Sequence, residues 1–406
     1  MAQHEFDIIV YGATSFVGQI MTRYMHTQFA EGKIKWAIAG RSQAKLETLS
    51  AETGLSGVEM IVADAKDEAA LNAMAARTKV VVSTVGPYAL YGDTLVKVCA
   101  ESGTHYCDLT GEAHWIRKMQ EPHEDTATKS GAMIVRCCGF DSIPSDLGVH
   151  FVQKYAQKKF GQSCNRIDMR VAKIKGGASG GTIASIINMV KEAAGDADLR
   201  RQLKDPYSLC PPDHNFATRQ HTVKMAFDDE YGAWIAPFVM EAINARVVHR
   251  SNALSGNSYG TDFKYQEAVV TGEGGRGKRM ARAASWGMGG FMVGLAIPPT
   301  RWFMEKVVLP KPGEGPSPKE QLEGKFDLVF LGTTPDGDKI RGRVTGDRDP
   351  GYGSTAKMLA QAAACLAQDI PKKTKGGFWT PATLMGDKLI KRLQAHSGLT
   401  FEIEKG

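Results

Sequence analysis

The chain has 406 residues and a net charge of +6, and 43% of its residues are hydrophobic and 23% charged. This length predicts roughly two or three domains, and the composition is typical of a soluble globular protein. The basic excess is too small to indicate nucleic acid, so we expect a small-molecule ligand and no nucleic-acid partner. The seven cysteines lack zinc-ligand spacing, which predicts reduced thiols, no metal site and a cytoplasmic location.

The first 147 residues alternate strand and helix patterns. The apolar run at 6–10 predicts a buried strand, which begins too early in the chain for a signal peptide to precede it. Helical spacing of apolar residues follows from Val17 to Phe29. Further strands are predicted in the segments WAIAG, VEMIVA, VVVST, HYCDL and AMIVR. Strands separated by helices indicate an α/β fold with a Rossmann-type, doubly wound parallel sheet.

The regular alternation ends after this region. Residues 165–275 mix strand-like runs, such as IDMRVAKI and YQEAVVTG, with loops and polar helices. Glycine, proline and charged residues at 310–320 predict an exposed loop or linker. The segments KFDLVFLGTT and DKIRGRVTG predict antiparallel strands, and an amphipathic helix is expected from Ser354 to about Gln368.

The stretch YGATSFVG, residues 11–18, lies between the first strand and the first helix, where dinucleotide-binding proteins have a glycine-rich turn. Gly12 permits the tight turn, and Gly18 allows the helix to pack closely on the sheet. Ser15 replaces the usual middle glycine, but its hydroxyl can donate to a phosphate, as can that of Thr14. A pyrophosphate would bind at the positive end of the helix, the alternative being a plain strand-to-helix turn. The predicted binding residues are Gly12, Thr14, Ser15, Phe16 and Val17.

The end of the second strand indicates which nicotinamide cofactor is used. It reads Gly40, Arg41 and Ser42, without the acidic residue that binds the ribose 2′-hydroxyl of NAD. Arg41 is placed to pair with a 2′-phosphate, and Ser42 can add a hydrogen bond. This pattern favours NADP, the alternative being that Arg41 is a solvated surface arginine.

Two further strand ends are expected to contact the cofactor. Asp64 follows the third strand and is predicted either to meet the adenine or to cap the next helix. Val85, Gly86 and Pro87 follow the fourth strand, and their backbone is expected to pass close to the nicotinamide end of the cofactor.

Several motifs together resemble a known family. They are YGATSFVGQ, WAIAGRS, VGPYALYGD, YCDLTGE and GFDSIPSDLG, followed by SGGTIAS, GYGSTAKM and GGFWTPATLMGDKLIKRL. The combination is similar to the saccharopine dehydrogenase-like oxidoreductases, in the branch of the trans-acting enoyl reductases and the animal saccharopine dehydrogenase-like oxidoreductase. The resemblance covers nearly the whole chain. It implies an NAD(P)-binding domain at 1–147, an α+β substrate or dimerisation domain inserted at 148–350, and a C-terminal segment, 351–406, that packs back on the first domain.

Hydride transfer to a carbonyl or enone needs a proton source, and Tyr88 and Tyr91 follow the fourth strand, where such a donor is expected. They either donate to a developing enolate or line the cofactor pocket. Asp108 and Glu112 resemble a catalytic carboxylate pair, but a helix N-cap with a first-turn acid also explains them. Asp141 and Asp146 either cap the helix that follows or act in catalysis. The motif SGGT at 179–182 predicts an anion site or a helix cap. The other polar side chains expected at this edge are Asp108, Glu112, His114, Asp141, Ser142 and Asp146.

An uncharged run at 283–300 follows a basic stretch with Arg276, Lys278, Arg279 and Arg282. Three interpretations are open: a buried or lidding segment, a peripheral contact with an anionic membrane or a lipid substrate, and a membrane span. Its four glycines and closing prolines suit a span poorly. The segment favours an apolar, lipid-type substrate.

The leading hypothesis is an NADP-dependent oxidoreductase that acts on an apolar substrate, with an enoyl reduction as one option. It would work in the cytoplasm or peripherally at a membrane, and a homodimer is one option for its assembly. A saccharopine-type amino-acid dehydrogenase is an alternative, but no cluster of cationic residues for substrate carboxylates is evident. A third hypothesis is a non-catalytic, NADP-binding protein of lipid surfaces.

Overall fold

The structure is a computed structural model and describes residues 4–177, 180–309 and 315–404. Its N-terminal part alternates strands with helices. In chain order these elements are β1 (Phe6–Tyr11), α1 (Phe16–Gln28), β2 (Trp36–Gly40), α2 (Gln43–Thr53), β3 (Met60–Val62), α3 (Glu68–Ala75), β4 (Thr78–Ser83), α4 (Tyr88–Tyr91), α5 (Asp93–Ser102), β5 (His105–Asp108), α6 (Ala113–Ser130), β6 (Met133–Val135) and α7 (Ile143–Phe160).

The rest of the chain contributes a second sheet, a group of helices and a C-terminal segment. The elements up to residue 346 are β7 (Arg166–Lys175), α8 (Gly180–Gly195), α9 (Ala197–Gln202), β8 (Ala226–Asp228), β9 (Ala233–Pro237), α10 (Glu241–Leu254), β10 (Lys264–Gly272), α11 (Gly274–Ala296), α12 (Pro298–Phe303), a π-helical turn (Met304–Val308), α13 (Pro318–Glu323), β11 (Lys325–Thr333) and β12 (Lys339–Gly346). The remaining elements are a π-helical turn (Pro350–Ser354), α14 (Thr355–Gln368), β13 (Gly377–Trp379), α15 (Pro381–Leu384), α16 (Gly386–His396) and β14 (Leu399–Ile403).

The first sheet is fully parallel, with the strand order β3-β2-β1-β4-β5-β6-β13. Ile9 at its centre lies opposite Ala37 on β2 and Val81 on β4. This is the Rossmann order with one added strand, so the predicted α/β class is confirmed. The strand order reverses between β1 and β4. In such sheets, ligands bind outside the carboxyl ends of the strands at that point.

The strand β1 explains why helices cover both faces of this sheet. Its residues Ile8, Ile9 and Val10 are completely buried. Because successive side chains of a strand point to opposite faces, Ile8 and Val10 belong to one core, whereas Ile9 belongs to the other. Helices α1 and α14 cover the first face, and α3, α5 and α6 cover the second.

The second sheet is mixed, with the order β14-β12-β11-β7-β10-β9-β8, and its only parallel pair among the described strands is β7 with β10. The C-terminal segment contributes to both sheets. Strand β13 pairs with β6 of the first sheet, placing Trp379 opposite Val135, whereas β14 pairs with β12 of the second. The segment therefore packs on the first sheet, through α14 and β13, and also adds a strand to the second.

Helices α8, α11 and α12, with the π-helical turn that follows, form a unit that we call the helical arm. Its small core contains Ile183 and Ile187 of α8 and Leu295 of α11, with Phe291 packed against them. The uncharged run 283–300 lies in α11 and the start of α12. Among the described residues, no helix combines the length and apolar composition that crossing a bilayer requires.

Candidate active site

The turn after β1 is built on two glycines. Gly12 has φ of +88°, and a Cβ atom there would lie 2.5 Å from Cγ2 of Val85. A Cβ atom on Gly18 would lie 2.2 Å from the carbonyl oxygen of Gly12, so α1 packs directly on the turn. A side chain at either position would push α1 or the end of β4 away. Both glycines have the roles that the YGATSFVG motif predicts for them.

Ser15 caps α1 and connects the turn to β4. Its Oγ accepts a hydrogen bond from the backbone N–H of Gly18 and donates one to Oγ1 of Thr84, both at 2.9 Å. The Thr84 hydroxyl in turn donates to the carbonyl of Gly12 at 2.8 Å. The serine that replaces the usual glycine therefore holds three elements together. Its predicted bond to a phosphate would require the hydroxyl to exchange Thr84 for the ligand.

The loop nevertheless offers donors to an anion. The backbone N–H groups of Thr14, Phe16 and Val17 have no hydrogen-bond partner among the described residues. They lie at the N-terminus of α1, where the helix dipole is positive. Unpaired N–H groups beside a glycine turn are what a dinucleotide pyrophosphate requires, so these residues fit the expected cofactor.

Ser15 also supports a quantitative prediction. We expect Ser15→Leu to weaken NADPH binding at least tenfold, because a branched side chain would lie over the loop that the pyrophosphate approaches. Ser15→Gly should bind almost normally, since glycine at an N-cap costs only a few tenths of a kcal/mol. Isothermal titration with NADPH measures both affinities, and normal binding by the leucine variant would show that Ser15 does not face the cofactor.

The carboxyl end of β2 carries the predicted selectivity residues. Arg41 is exposed, and its guanidinium group has neither a hydrogen bond nor an ion pair within the described part of the chain. Ser42 caps α2, since its Oγ accepts from the backbone N–H of Lys45 at 3.5 Å. A free cation beside a helix N-terminus is suited to a 2′-phosphate.

Asp64 lies near Arg41, since the charges of both side chains shift the pKa of the Tyr11 phenol. Burial is the main reason that the pKa of Tyr11 is raised to about 12, and Asp64 raises it further while Arg41 opposes the shift. The prediction that Asp64 caps the next helix is wrong. Asp67 caps α3, because its carboxylate accepts from the backbone N–H of Ala70 at 3.0 Å. Asp64 thus remains exposed at the edge of the site.

Arg41 is the basis of a second prediction. We expect Arg41→Ala to weaken NADPH binding by about 1.5–3 kcal/mol, the range of a hydrogen bond to a charged group, and to leave NADH binding nearly unchanged. Lys45→Ala, which removes an exposed cation from α2, the helix that follows Arg41, is the matched control. Titration of each variant with both cofactors measures the difference. Equal losses for NADPH and NADH would contradict the role of Arg41.

The loop after β4 is fixed by the carboxylate of the residue at the N-cap position of α6. The Gly86–Pro87 peptide is cis and leads into α4. The Glu112 carboxylate accepts from the backbone N–H groups of Tyr88, at 2.8 Å, and Ala89, at 2.9 Å. It also accepts from the hydroxyl of Ser185 on α8 at 2.8 Å. Glu112 therefore caps α4, a helix earlier in the chain, and connects the loop to the helical arm.

The two candidate tyrosines differ in their surroundings. Tyr88 is buried against Trp115, with ring centroids 5.3 Å apart, and its hydroxyl donates to the carbonyl of Ser83 at 2.9 Å. Burial raises the pKa of Tyr88 well above its ordinary value. This geometry disfavours Tyr88 as a proton donor to a substrate. Tyr91 is 38% exposed, and its hydroxyl has no partner among the described residues.

Asp108 belongs to a buried ion pair. Its carboxylate lies 3.1 Å from the guanidinium of Arg136, and both side chains are almost completely buried. The guanidinium lies over the ring of Trp115 at 4.2 Å, and the carboxylate also accepts from the backbone N–H of Thr110 at 3.2 Å. Burial raises the pKa of Asp108, and Arg136 opposes that shift. The pair fixes the ends of β5 and β6, a structural role that the sequence did not indicate.

Neither Asp141 nor Asp146 caps the following helix, so that prediction is wrong. Helix α7 has Ser142 at its N-cap position, without a side-chain capping bond. Asp146 lies inside the first turn of α7. Its carboxylate accepts from the hydroxyl of Ser251 on α10 and, at 2.8 Å, from the backbone N–H of Ala382 on α15. It therefore joins three helices.

Asp141 has a carboxyl group whose surroundings suit proton transfer. It makes no hydrogen bond to any described residue, and its Oδ2 lies 3.5 Å from where a Cβ atom of Gly111 would be. Burial, with a contribution from Glu267, raises its pKa to about 7. Glu267 is itself buried on β10 and bonded to Tyr265 and Asn244. Near neutral pH, Asp141 therefore alternates between its acid and its base form, which suits proton transfer.

The chain is similar to known proteins over nearly its whole length. Residues 8–135 match the family model of the saccharopine dehydrogenase NADP-binding domain. A trans-acting enoyl reductase of Mycobacterium tuberculosis is 35% identical over 414 residues, covering 97% of this chain and 96% of that protein. The chain belongs to the saccharopine dehydrogenase-like oxidoreductase family. A candidate trans-acting enoyl reductase of the same species is 38% identical over 406 residues, covering 96% of each chain.

The fold has a counterpart among solved structures. Saccharopine dehydrogenase (L-Glu forming) from Saccharomyces cerevisiae covers 98% of this chain and 99% of its own, with 12% identity and a TM-score of 0.50. The family membership makes this saccharopine dehydrogenase-like protein an oxidoreductase, and its N-terminal domain an NADP-binding domain. Among the described residues, no group of three or more His, Cys, Asp or Glu side chains could hold a metal ion.

Proposed function

We propose that this protein uses NADPH to reduce a polarised carbon–carbon double bond in an apolar, acyl-type substrate. Bound NADPH supplies the hydride, so the protein has to orient the substrate and provide a proton. The full-length relatives with 34–38% identity are named trans-acting enoyl reductases, which supports this reaction class.

The proposal rests on one observation, which is that the buried arginines already have partners within the protein. A saccharopine-type amino-acid dehydrogenase would need cationic side chains for the carboxylates of its substrate. Among the described residues, each arginine that is almost completely buried has a hydrogen-bond or ion-pair partner inside the protein. Arg136 pairs with Asp108, Arg170 with Asp228, Arg246 bonds to Ser208 and the carbonyl of Leu203, and Arg250 bonds to the carbonyls of Leu209 and Phe378. This arrangement favours an apolar substrate over an amino acid.

Two residues are proposed to act on the substrate side. Asp141 would donate a proton to the carbon or enolate oxygen that becomes basic after hydride transfer, because its pKa of about 7 keeps a protonated fraction at neutral pH. Tyr91 would contribute a hydrogen bond from its exposed hydroxyl. The backbone of Val85, Gly86 and Pro87, which precedes the N–H groups bound by Glu112, is proposed to lie beside the nicotinamide.

Turnover with a substrate panel tests the proposal. The panel contains trans-2-enoyl thioesters of increasing chain length, together with imino acids formed from 2-oxo acids and amino acids. We expect NADPH oxidation only with the enoyl thioesters, faster with the longer chains, and a saturated product by mass spectrometry. Turnover of the imino acids alone would support the amino-acid dehydrogenase. NADPH binding without turnover of any substrate would support the non-catalytic alternative.

Peripheral contact with a membrane is part of this proposal, since an apolar acyl substrate partitions into lipid. Homodimer formation remains a prediction, which light scattering of the purified protein measures.

A further inference from the structure

The outward side of α11 has no partner within the described structure. Arg279, Arg282, Trp286, Val293 and Ile297 recur at steps of three, four, seven and four residues, which places them on one side of the helix. Trp286 is 77% exposed, Val293 59% and Ile297 48%. The opposite side, with Ala281 and Leu295, is buried. The helix therefore uses one apolar side for the arm's core and presents a second one to the outside.

The end of the arm also exposes large apolar side chains. Trp302, Phe303 and Val307 are 61%, 52% and 67% exposed. Soluble proteins rarely expose several large apolar side chains together unless the surface binds something. Tryptophan in such a position is typical of surfaces that enter the interfacial region of a bilayer.

The charge of the arm identifies the partner. Between Gly274 and Phe303 there are five basic residues and no acidic one. The three arginines of the first turns, Arg276, Arg279 and Arg282, are exposed, and none is in an ion pair with another described residue. Basic residues beside exposed tryptophans complement a surface that is anionic outside and apolar beneath, which is the chemistry of a bilayer containing acidic lipids.

We infer that the helical arm docks this protein on an anionic lipid surface, and that the docked arm lies along the route by which substrate reaches the proposed nicotinamide end beside the Gly86–Pro87 loop. The second part rests on the proposed reduction of an apolar substrate. An acyl chain leaving the lipid beside the arm would then reach that loop without crossing bulk water.

Helix α8 provides the connection between this surface and the cofactor loop. Its apolar side packs on α11 through Ile187 and Leu295. Its polar side reaches the first domain, where Ser185 donates to Glu112 and the Glu192 carboxylate lies 3.2 Å from the imidazole of His114. Because Glu112 also caps α4 beside the Gly86–Pro87 loop, α8 connects α11, which carries the docking surface, to the proposed nicotinamide end.

Flotation with vesicles tests the inference without any substrate. Wild-type protein should bind vesicles of phosphatidylglycerol and phosphatidylcholine, bind pure phosphatidylcholine vesicles at least tenfold more weakly, and lose part of its binding as salt is raised. The paired change Trp286→Ser with Trp302→Ser should weaken binding at least tenfold at every salt concentration. Leu322→Ser, at a side chain 60% exposed on α13, is the matched control and should bind as wild type.

The charge contribution has its own control. Arg276→Gln, Arg279→Gln and Arg282→Gln combined should lower binding at least tenfold at low salt and have little effect at high salt. The same loss of charge at Lys372, Lys373 and Lys375, three exposed lysines before β13, should leave binding nearly unchanged. Lys278 is retained because its ammonium group lies 5.1 Å from the ring centroid of Trp234. Leu295 is retained because it belongs to the arm's core.

A measurement on the unmodified protein excludes misfolding as an explanation. Lipids brominated along the acyl chain should quench the fluorescence of Trp286 and Trp302, the two most exposed of the six tryptophans. Absence of quenching and of flotation would overturn the inference. Dimerisation without lipid that Trp286→Ser abolishes would overturn it in favour of a second copy of this chain. Vesicle binding without turnover of any substrate would leave the docking intact and refute the proposed function and the substrate route.

Discussion

Replacing Asp141 by asparagine is expected to lower the rate of NADPH-dependent reduction by roughly a hundredfold or more, within the range that general acids contribute. Asparagine has nearly the same shape but no acidic proton. The pKa of about 7 predicts that kcat/KM of the wild type is constant at low pH and falls about tenfold per pH unit above 7. The asparagine variant should lack this decline. The measurement is kcat/KM from about pH 5.5 to about pH 9 on an enoyl thioester.

Tyr91→Phe is the comparison variant for this profile. If Asp141 donates the proton, the phenylalanine variant should keep the decline above pH 7 even if its rate is lower. A decline that persists in Asp141→Asn and disappears in Tyr91→Phe would assign the proton to Tyr91.

The pH dependence of the free energy of unfolding reports on the Asp141 carboxyl group without any substrate. Asp141 has a folded pKa of about 7, above the value of about 4 in an unfolded chain. Between these values the folded state binds more protons, so the free energy of unfolding should fall as the pH rises from about 4 to about 7. The asparagine variant lacks this contribution and should gain stability relative to wild type over that window. Urea unfolding at several pH values measures this, and a constant difference would contradict a raised pKa.

Arg136→Met should destabilise the fold by about 3–5 kcal/mol, because it leaves the buried carboxylate of Asp108 without its partner. The change keeps most of the apolar contact with Trp115. For comparison, Lys118→Met removes one side of the exposed pair with Asp93 and should cost less than about 1 kcal/mol. Urea unfolding measures both free energies.

The double variant Arg136→Met with Asp108→Leu separates charge from packing. If the cost of the single change comes from an unpaired buried charge, removing the carboxylate as well should recover much of the stability. A double variant less stable than Arg136→Met would instead show that the stacking of Arg136 against the aromatic rings carries the stability.

The sequence by itself determined the features that depend on neighbouring residues. The alternation of apolar strands and helices predicted the parallel sheet, and the periodicity of α14 predicted that helix almost to the residue. Gly12 and Gly18 were assigned from the motif, because a tight turn and a close helix leave room for no other residue. These signals are local, since strand alternation, helical spacing and turn geometry are set within a few residues.

Only the tertiary structure decided what each polar side chain at the strand ends does. In the sequence Asp146 was expected to cap the helix that follows Asp141, and Glu112 to be a first-turn acid of a helix capped by Asp108, but their partners lie far along the chain. Ser185 is 73 positions from Glu112, and Ala382 is 236 positions from Asp146. The same holds for the arm, where the burial of Leu295 and the exposure of Trp286 follow from how α8 packs on α11. A carboxylate's role and a helix's free side depend on what the fold places against them, and local patterns carry no information about that.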